Sequence, residues 1–135
     1  MKRELFRIID ANLNRSREGL RVCEEVSRFI IEDAGLTGEF KKIRHRISSS
    51  TGRFPKALQS LLQSRQSVSD VGRDILSKSG RKNYKDIFFA NIQRVKESLR
   101  VLEEFSSIFN QTLSRYYARL RFQVYELEKK TIARL

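Results

Sequence analysis

Two arginines, Arg15 and Arg94, each stand three residues after an asparagine and three before a glutamate, as Asn12-x-x-Arg15-x-x-Glu18 and Asn91-x-x-Arg94-x-x-Glu97. At helical spacing such a set lies along one side of a helix. Guanidinium groups present a planar fork of donors that matches phosphate oxygens, and an Asn amide both donates and accepts. A Glu nearby can share Mg²⁺ with phosphate oxygens and water. These residue types suit phosphoryl transfer, in which positioning and charge neutralisation do most of the catalysis.

Other residues extend this set. Arg44 or Arg46, in R44-H-R46, is a further candidate phosphate ligand on a helix, and D70-V-G-R-D74 joins carboxylates, a flexible Gly72 and an Arg in a segment suited to closing over a phosphate. Carboxylates available to Mg²⁺ are those of the row Glu18, Glu25, Glu97 and Glu104, with Asp10, Asp70 and Asp74 as the other candidates. His45, the lone histidine, reads as a surface or packing residue rather than a catalyst. No phosphate-binding glycine loop, dinucleotide fingerprint, zinc-protease motif or nucleophile elbow is present.

The set occurs twice because a longer segment occurs twice. From Ala11 to Ser27 against Ala90 to Ser106, ten of seventeen positions are identical, polar residues included. A packing repeat needs only the apolar ones. A stripe through positions 12, 15, 19, 22, 26 and 29 ends apolar at Val22, Val26 and Phe29, as its counterpart does at Val101, Phe105 and Ile108, whereas both begin with Asn and Arg. The expectation is a buried face that turns polar at one end, with Arg15 and Arg94 facing inward over a shared hollow. Gly19 in mid-helix costs about 1 kcal/mol relative to Ala, which a ligand or a closely approaching helix would offset. The competing reading pairs Arg15 with Glu18 and Arg94 with Glu97 as ordinary ion pairs at the end of a bundle. For the neighbouring row Glu18, Arg21, Glu25 and its mates Glu97, Arg100, Glu104, ion pairing is the preferred account.

Helices must carry these residues. Phe6, Ile9, Leu13, Leu20, Cys23 and Ile30 follow 3-4 spacing and predict a first helix over 4–32. A-G-L-T-G breaks the pattern, Thr37 reads as the cap of a second helix reaching Ser50, and Pro55 opens a short third. Arg65 to Lys82 is a long Ser- and Gly-rich connection. Asn83, with Asp86 three residues on, caps a fourth helix that Asn110 ends, and a last helix through Leu113, Tyr117, Leu120 and Val124 runs nearly to Leu135. I43-R-H-R-I47 weakly answers L120-R-F-Q-V124, with one shared Arg. The expected architecture is all-α: one domain over 1–135, a bundle of about five helices made of two pseudo-repeated hairpins, 4–50 and 84–134, packed about a pseudo-twofold axis.

The bulk properties agree. At 135 residues one core is the default, and 33% charged residues with one Pro and six Gly favour helices over β-structure or disorder. No apolar run approaches the ~18 residues of a membrane span, so no membrane partner is expected and the expected location is the cytoplasm. The single Cys23 fills a core position, its mate being Leu102. A net charge of +12, spread along the chain, gathers anions and favours a folded pocket over a basic tail. Nucleic acid is the less favoured partner and small phosphorylated molecules the preferred one.

D-A-N-L-N-R-S-R-E-G-L-R-V-C-E-E, I-R-H-R-I, D-V-G, A-N-I-Q-R-V-K-E-S-L-R-V-L-E-E-F and L-R-F-Q-V-Y-E-L-E-K, in this order, resemble the small helical domain that precedes thiamine-phosphate synthase in some bacteria. The resemblance implies a role in thiamin biosynthesis. It implies an ATP- and Mg²⁺-dependent kinase converting hydroxymethylpyrimidine phosphate to its diphosphate, with thiamine-phosphate synthase as a partner and room for a homodimer. Carried onto matching positions, it makes Asn12, Asn91, Arg15, Arg94, Arg44 and Gly72 binding residues and Glu18, Glu97 and Asp70 catalytic or metal-binding ones. A non-catalytic partner domain of the synthase, or a basic nucleic-acid-binding module, are the alternatives.

Overall fold

A computed structural model describes residues 2–63 and 80–135 of the chain. Five α-helices occur among them: α1 Lys2–Glu25, α2 Ala34–Ser50, α3 Lys56–Gln63, α4 Tyr84–Ser106 and α5 Gln111–Ile132. No strand occurs among the described residues. The protein is all-α, as the apolar spacing requires.

Side-chain contacts set the helix directions. The α1–α2 hairpin is closed by Arg44 bonding Glu24 at 3.1 Å, and the α4–α5 hairpin by Arg121 bonding Glu103 at 3.1 Å. From one end to the other, α2 meets α5 through Asp33 with Arg134, Glu39 with Lys130, Arg46 with Gln123 and Ser50 with Tyr117. In each pairing one residue number rises as the other falls. So α1 opposes α2, α2 opposes α5 and α5 opposes α4, which leaves α1 antiparallel to α4, its main packing partner.

The core draws on every helix. Ile9, Leu13, Leu20 and Cys23 of α1, Phe40 and Ile47 of α2, Leu58 of α3, Phe88, Ile92, Val95, Leu99 and Leu102 of α4, and Leu113, Tyr117 and Val124 of α5 are fully buried. Burying side chains of this size contributes about 1.5–3 kcal/mol each. The Tyr117 hydroxyl keeps a partner inside, 2.7 Å from Ser50 Oγ, and burial pushes the phenol well above its ordinary range. Cys23 is packing, as expected: burial, then the Glu128 charge, pushes its thiol up and away from reactivity.

Three boundaries differ from the sequence expectation. The first helix does not stay α-helical to residue 32; it widens at Val26–Ile31 into a π-helical turn, which ends at Glu32 in the left-handed region with φ 59°. A-G-L-T-G lies inside α2, because Asp33, not Thr37, caps it: Asp33 Oδ1 accepts from Leu36 N at 3.0 Å and Thr37 Oγ1 donates to Asp33 O at 2.7 Å. Asn110 begins α5 rather than ending α4, its side chain accepting from Leu113 N at 3.1 Å. Asn83 caps α4 as expected, accepting from Asp86 N at 2.9 Å.

Candidate functional site

Everything at the candidate site depends on how closely α1 and α4 approach. A Cβ on Gly19 would lie 2.7 Å from Val95 Cγ2 and 3.0 Å from Asn91 O, closer than real side chains sit. Of the two explanations for a glycine there, the neighbouring helix is the one observed. The residues within a turn of this crossing are those singled out by type: Arg15 lies four positions before Gly19, and Arg94 lies between Asn91 and Val95, both of which touch it.

The asparagines behave alike. Asn12, buried, donates from Nδ2 to Ile8 O at 2.8 Å, and the half-buried Asn91 donates to Ile87 O at 2.8 Å. Each amide is thereby fixed against its own helix, and its oxygen has no partner among the described residues. The arginines differ from the expectation. Arg15 and Arg94 are exposed and do not turn inward over a hollow, because the Gly19 contact closes the space between the helices that an interior pocket needs. Neither guanidinium has an ion pair or hydrogen bond among the described residues. The alternative pairing with Glu18 and Glu97 does not form either: Glu18 is exposed without a partner there, and Glu97 accepts from Gln93 at 3.1 Å.

The other repeated cations are engaged. Arg21 pairs with Glu25 at 3.2 Å and Arg100 with Glu104 at 2.8 Å on the surface, as the residue row suggested. Arg44 is held by Glu24, whose side chain is only 6% exposed, so in this arrangement it braces the α1–α2 hairpin away from Arg15 and Arg94. Glu24 and Glu103 were not singled out from the sequence. Their signal was present in the doubled E-E and in the Arg shared by R44-H-R46 and L120-R-F, which the structure joins as two inter-helix pairs.

Asp70, Gly72 and Asp74 lie outside the described residues. Among those described, no three His, Cys, Asp or Glu side chains converge, so Glu18 or Glu97 would complete a Mg²⁺ shell only with phosphate oxygens and water. His45 is exposed on α2. A groove of about 480 Å³ between α2 and α5, lined by Glu39, Lys42, Arg46, Phe122, Glu126 and Lys130 among others, contains Arg46, the alternative to Arg44, but neither Arg15 nor Arg94. Part of its charge is already matched, since Lys130 pairs with Glu39 at 3.3 Å and Arg46 donates to Gln123 at 2.9 Å.

No solved structure matches the chain. Among curated proteins it is similar to thiamine-phosphate synthase of Thermosynechococcus vestitus, 40% identical over 127 residues, covering 93% of this chain and 34% of that protein. The synthase of Nostoc punctiforme is 36% identical over 126 residues, 92% of this chain and 34% of that protein. That of Rhodopirellula baltica is 34% identical over 134 residues, 95% and 35% respectively. The chain therefore spans about a third of the length of the curated relatives it matches. A sequence profile of the ThiD2 family matches residues 7–130, nearly all of the helical bundle, and the chain belongs to the ThiD2 family.

Proposed function

We propose that this chain acts in thiamin biosynthesis as a kinase, transferring the γ-phosphoryl group of ATP to hydroxymethylpyrimidine phosphate to give the diphosphate and ADP, with Mg²⁺. The observation that carries the reading is the pair of exposed guanidiniums, Arg15 and Arg94, left without partners among the described residues at the α1–α4 crossing, where other repeated cations are paired. Unpaired arginines flanked by fixed Asn amides keep their donors available for phosphate oxygens.

In this reading Arg15 and Arg94 bind phosphate oxygens, and Asn12 and Asn91 offer amide oxygens to a donor on the pyrimidine or ribose edge. Glu18, Glu97 and Asp70 are the residues that would hold Mg²⁺, which when bound neutralises charge on the transferring phosphoryl group. An oxygen of the acceptor's phosphate attacks the γ-phosphorus, the bond to the ADP oxygen breaks, and ADP leaves. The acceptor is already ionised at neutral pH, so no strong general base is required. We further infer that the two hairpins are copies of one unit, the Glu24–Arg44 and Glu103–Arg121 pairs being their common brace. Thiamine-phosphate synthase is the protein expected to take up the product.

Incubating the protein with ATP, Mg²⁺ and hydroxymethylpyrimidine phosphate tests this. ³¹P NMR should show a diphosphate and an equal amount of ADP; no product from a folded sample overturns the kinase. A second reading is supported by the similarity to segments of synthase chains: a non-catalytic partner domain. It gains ground if no diphosphate forms and adding the protein changes the rate of thiamine-phosphate synthase.

A further inference from the structure

The two ends of the α1–α4 pair are not alike, and the difference lies in their exposed apolar residues. Gly19 fixes the register, touching Asn91 and Val95. Because the helices are antiparallel, ten residues forward from Gly19 along the first chain segment leads to Phe29, and ten back from Arg94 leads to Tyr84. The π-helical turn Val26–Ile31 that carries Phe29 packs on α4. Phe29 is 59% exposed and Tyr84 57%, so the same end of the pair presents two aromatic rings to solvent. At the opposite end the corresponding positions are Ile108, 67% exposed, and Leu5, partly buried, both aliphatic. At these paired positions exposed aromatic rings occur at one end only.

The two rings lie on the same helix pair as the candidate phosphate site. Tyr84, Ile87, Asn91 and Arg94 follow 3-4 spacing on α4. At 1.5 Å per residue, Tyr84 and Arg94 are about 15 Å apart along the axis, comparable with an extended nucleoside triphosphate. The Arg28 guanidinium lies 4.9 Å from the centroid of the Phe29 ring, a cation on the ring that adds attraction for an electron-rich base and its anionic chain. Exposed rings beside arginines are the usual means of holding a base without reading its edge.

We propose that Phe29 and Tyr84 form a base-stacking subsite for the purine nucleoside triphosphate, with the triphosphate running along the α1–α4 face toward Arg94. The phosphorylated acceptor is then taken on the Arg15 side of the crossing, away from the rings. This inference rests on the proposed kinase reading for its ligand, and it assigns the two halves of the face to different molecules.

The test is calorimetric titration of the whole protein and of Phe29→Ala, Tyr84→Ala and Tyr84→Phe with Mg²⁺–ATP and, separately, with Mg²⁺–tripolyphosphate. Loss of one stacked ring should weaken ATP roughly tenfold to a hundredfold, while tripolyphosphate is unaffected and Tyr84→Phe behaves as the parent. Both aromatic positions are exposed, so circular dichroism should show unchanged folding. Unchanged ATP affinity in both alanine variants, equal loss for ATP and tripolyphosphate, or no ATP binding by the parent each overturns the subsite. If the parent turns over but the alanine variants keep its KM for ATP, the subsite falls and the kinase stands. If ring-dependent ATP binding occurs without diphosphate formation, the kinase falls and the subsite stands.

Discussion

Arg15 and Arg94 separate sharply from the arginines around them, and the separation decides what each substitution should do. Exposed and unpaired among the described residues, they contribute little to folding. Arg15→Ala or Arg94→Ala should weaken binding of Mg²⁺–ATP or of the pyrimidine phosphate by roughly 1.5–3 kcal/mol, the scale of a hydrogen bond to a charged group. Denaturant midpoints should shift by no more than about 0.5 kcal/mol equivalent. Arg44→Ala should do the reverse. It leaves the nearly buried Glu24 carboxylate without its cation and should destabilise by about 3 kcal/mol in urea unfolding, with an Arg44→Met, Glu24→Leu double variant recovering much of the loss. The sequence identified these arginines by type and repetition but not by role, because an ion pair between α1 and α2 depends on hairpin register, which residue spacing within one helix does not encode.

At the scale of helices, spacing and capping chemistry were largely legible. The apolar 3-4 pattern placed α1, α4 and α5, cap and turn residues pointed to α2 and α3, and Asn83 was readable as a cap. The start of α2 was not, because Asp33 and Thr37 are both good capping types and the choice is made by tertiary contact: Asp33 also binds Arg134 of the chain's last turn. The bond from Leu36 N, and next the Arg134 charge, hold the Asp33 carboxyl below its usual range. A lowered folded value means the stabilisation is present above the ordinary carboxylate range, about pH 4, and is lost as pH falls through the lower folded value. Asp33→Ala should therefore lower the melting temperature at pH 7, with the gap to the parent narrowing in scans below pH 4. The π-helical turn was also illegible; its insertion into the α1 ladder depends on packing against α2 and α4 rather than on a distinctive residue.

Gly19 belongs to the same scale. The sequence allowed a ligand or a helix to explain it, and the α4 backbone is the explanation. Gly19→Ala gains about 1 kcal/mol of helix propensity. The added methyl must displace Val95 and the Asn91 carbonyl, a clash of the kind that costs typically 1–3 kcal/mol. Urea unfolding should show net destabilisation, and the spreading of α1 from α4 should raise KM for both substrates together.

For the whole molecule, +12 of charge could serve a nucleic acid or a small anion. The ion pairs that brace the hairpins and link α2 to α5 consume part of the positive charge, whereas Arg15 and Arg94 are exposed and unpaired among the described residues. If these arginines hold small phosphates, generic DNA should bind weakly, and ATP affinity should fall only modestly between 50 and 200 mM salt. A nucleic-acid module would instead lose about 10³-fold or more over the same range. The fold class was legible from composition and periodicity together. The outward turn of Arg15 and Arg94 was not, because a stripe of residues fixes which side of a helix is shared, not how tightly its neighbour closes on it.

The most direct measurement is phosphoryl transfer from [γ-³²P]ATP to hydroxymethylpyrimidine phosphate by the parent and by an Arg15→Ala, Arg94→Ala double variant of equal thermal stability. Labelled diphosphate is expected from the parent, with at least a hundredfold lower kcat/KM from the double variant, about 2.7 kcal/mol or more of lost transition-state binding. Labelled diphosphate formed equally fast by both proteins would contradict this role for the two arginines.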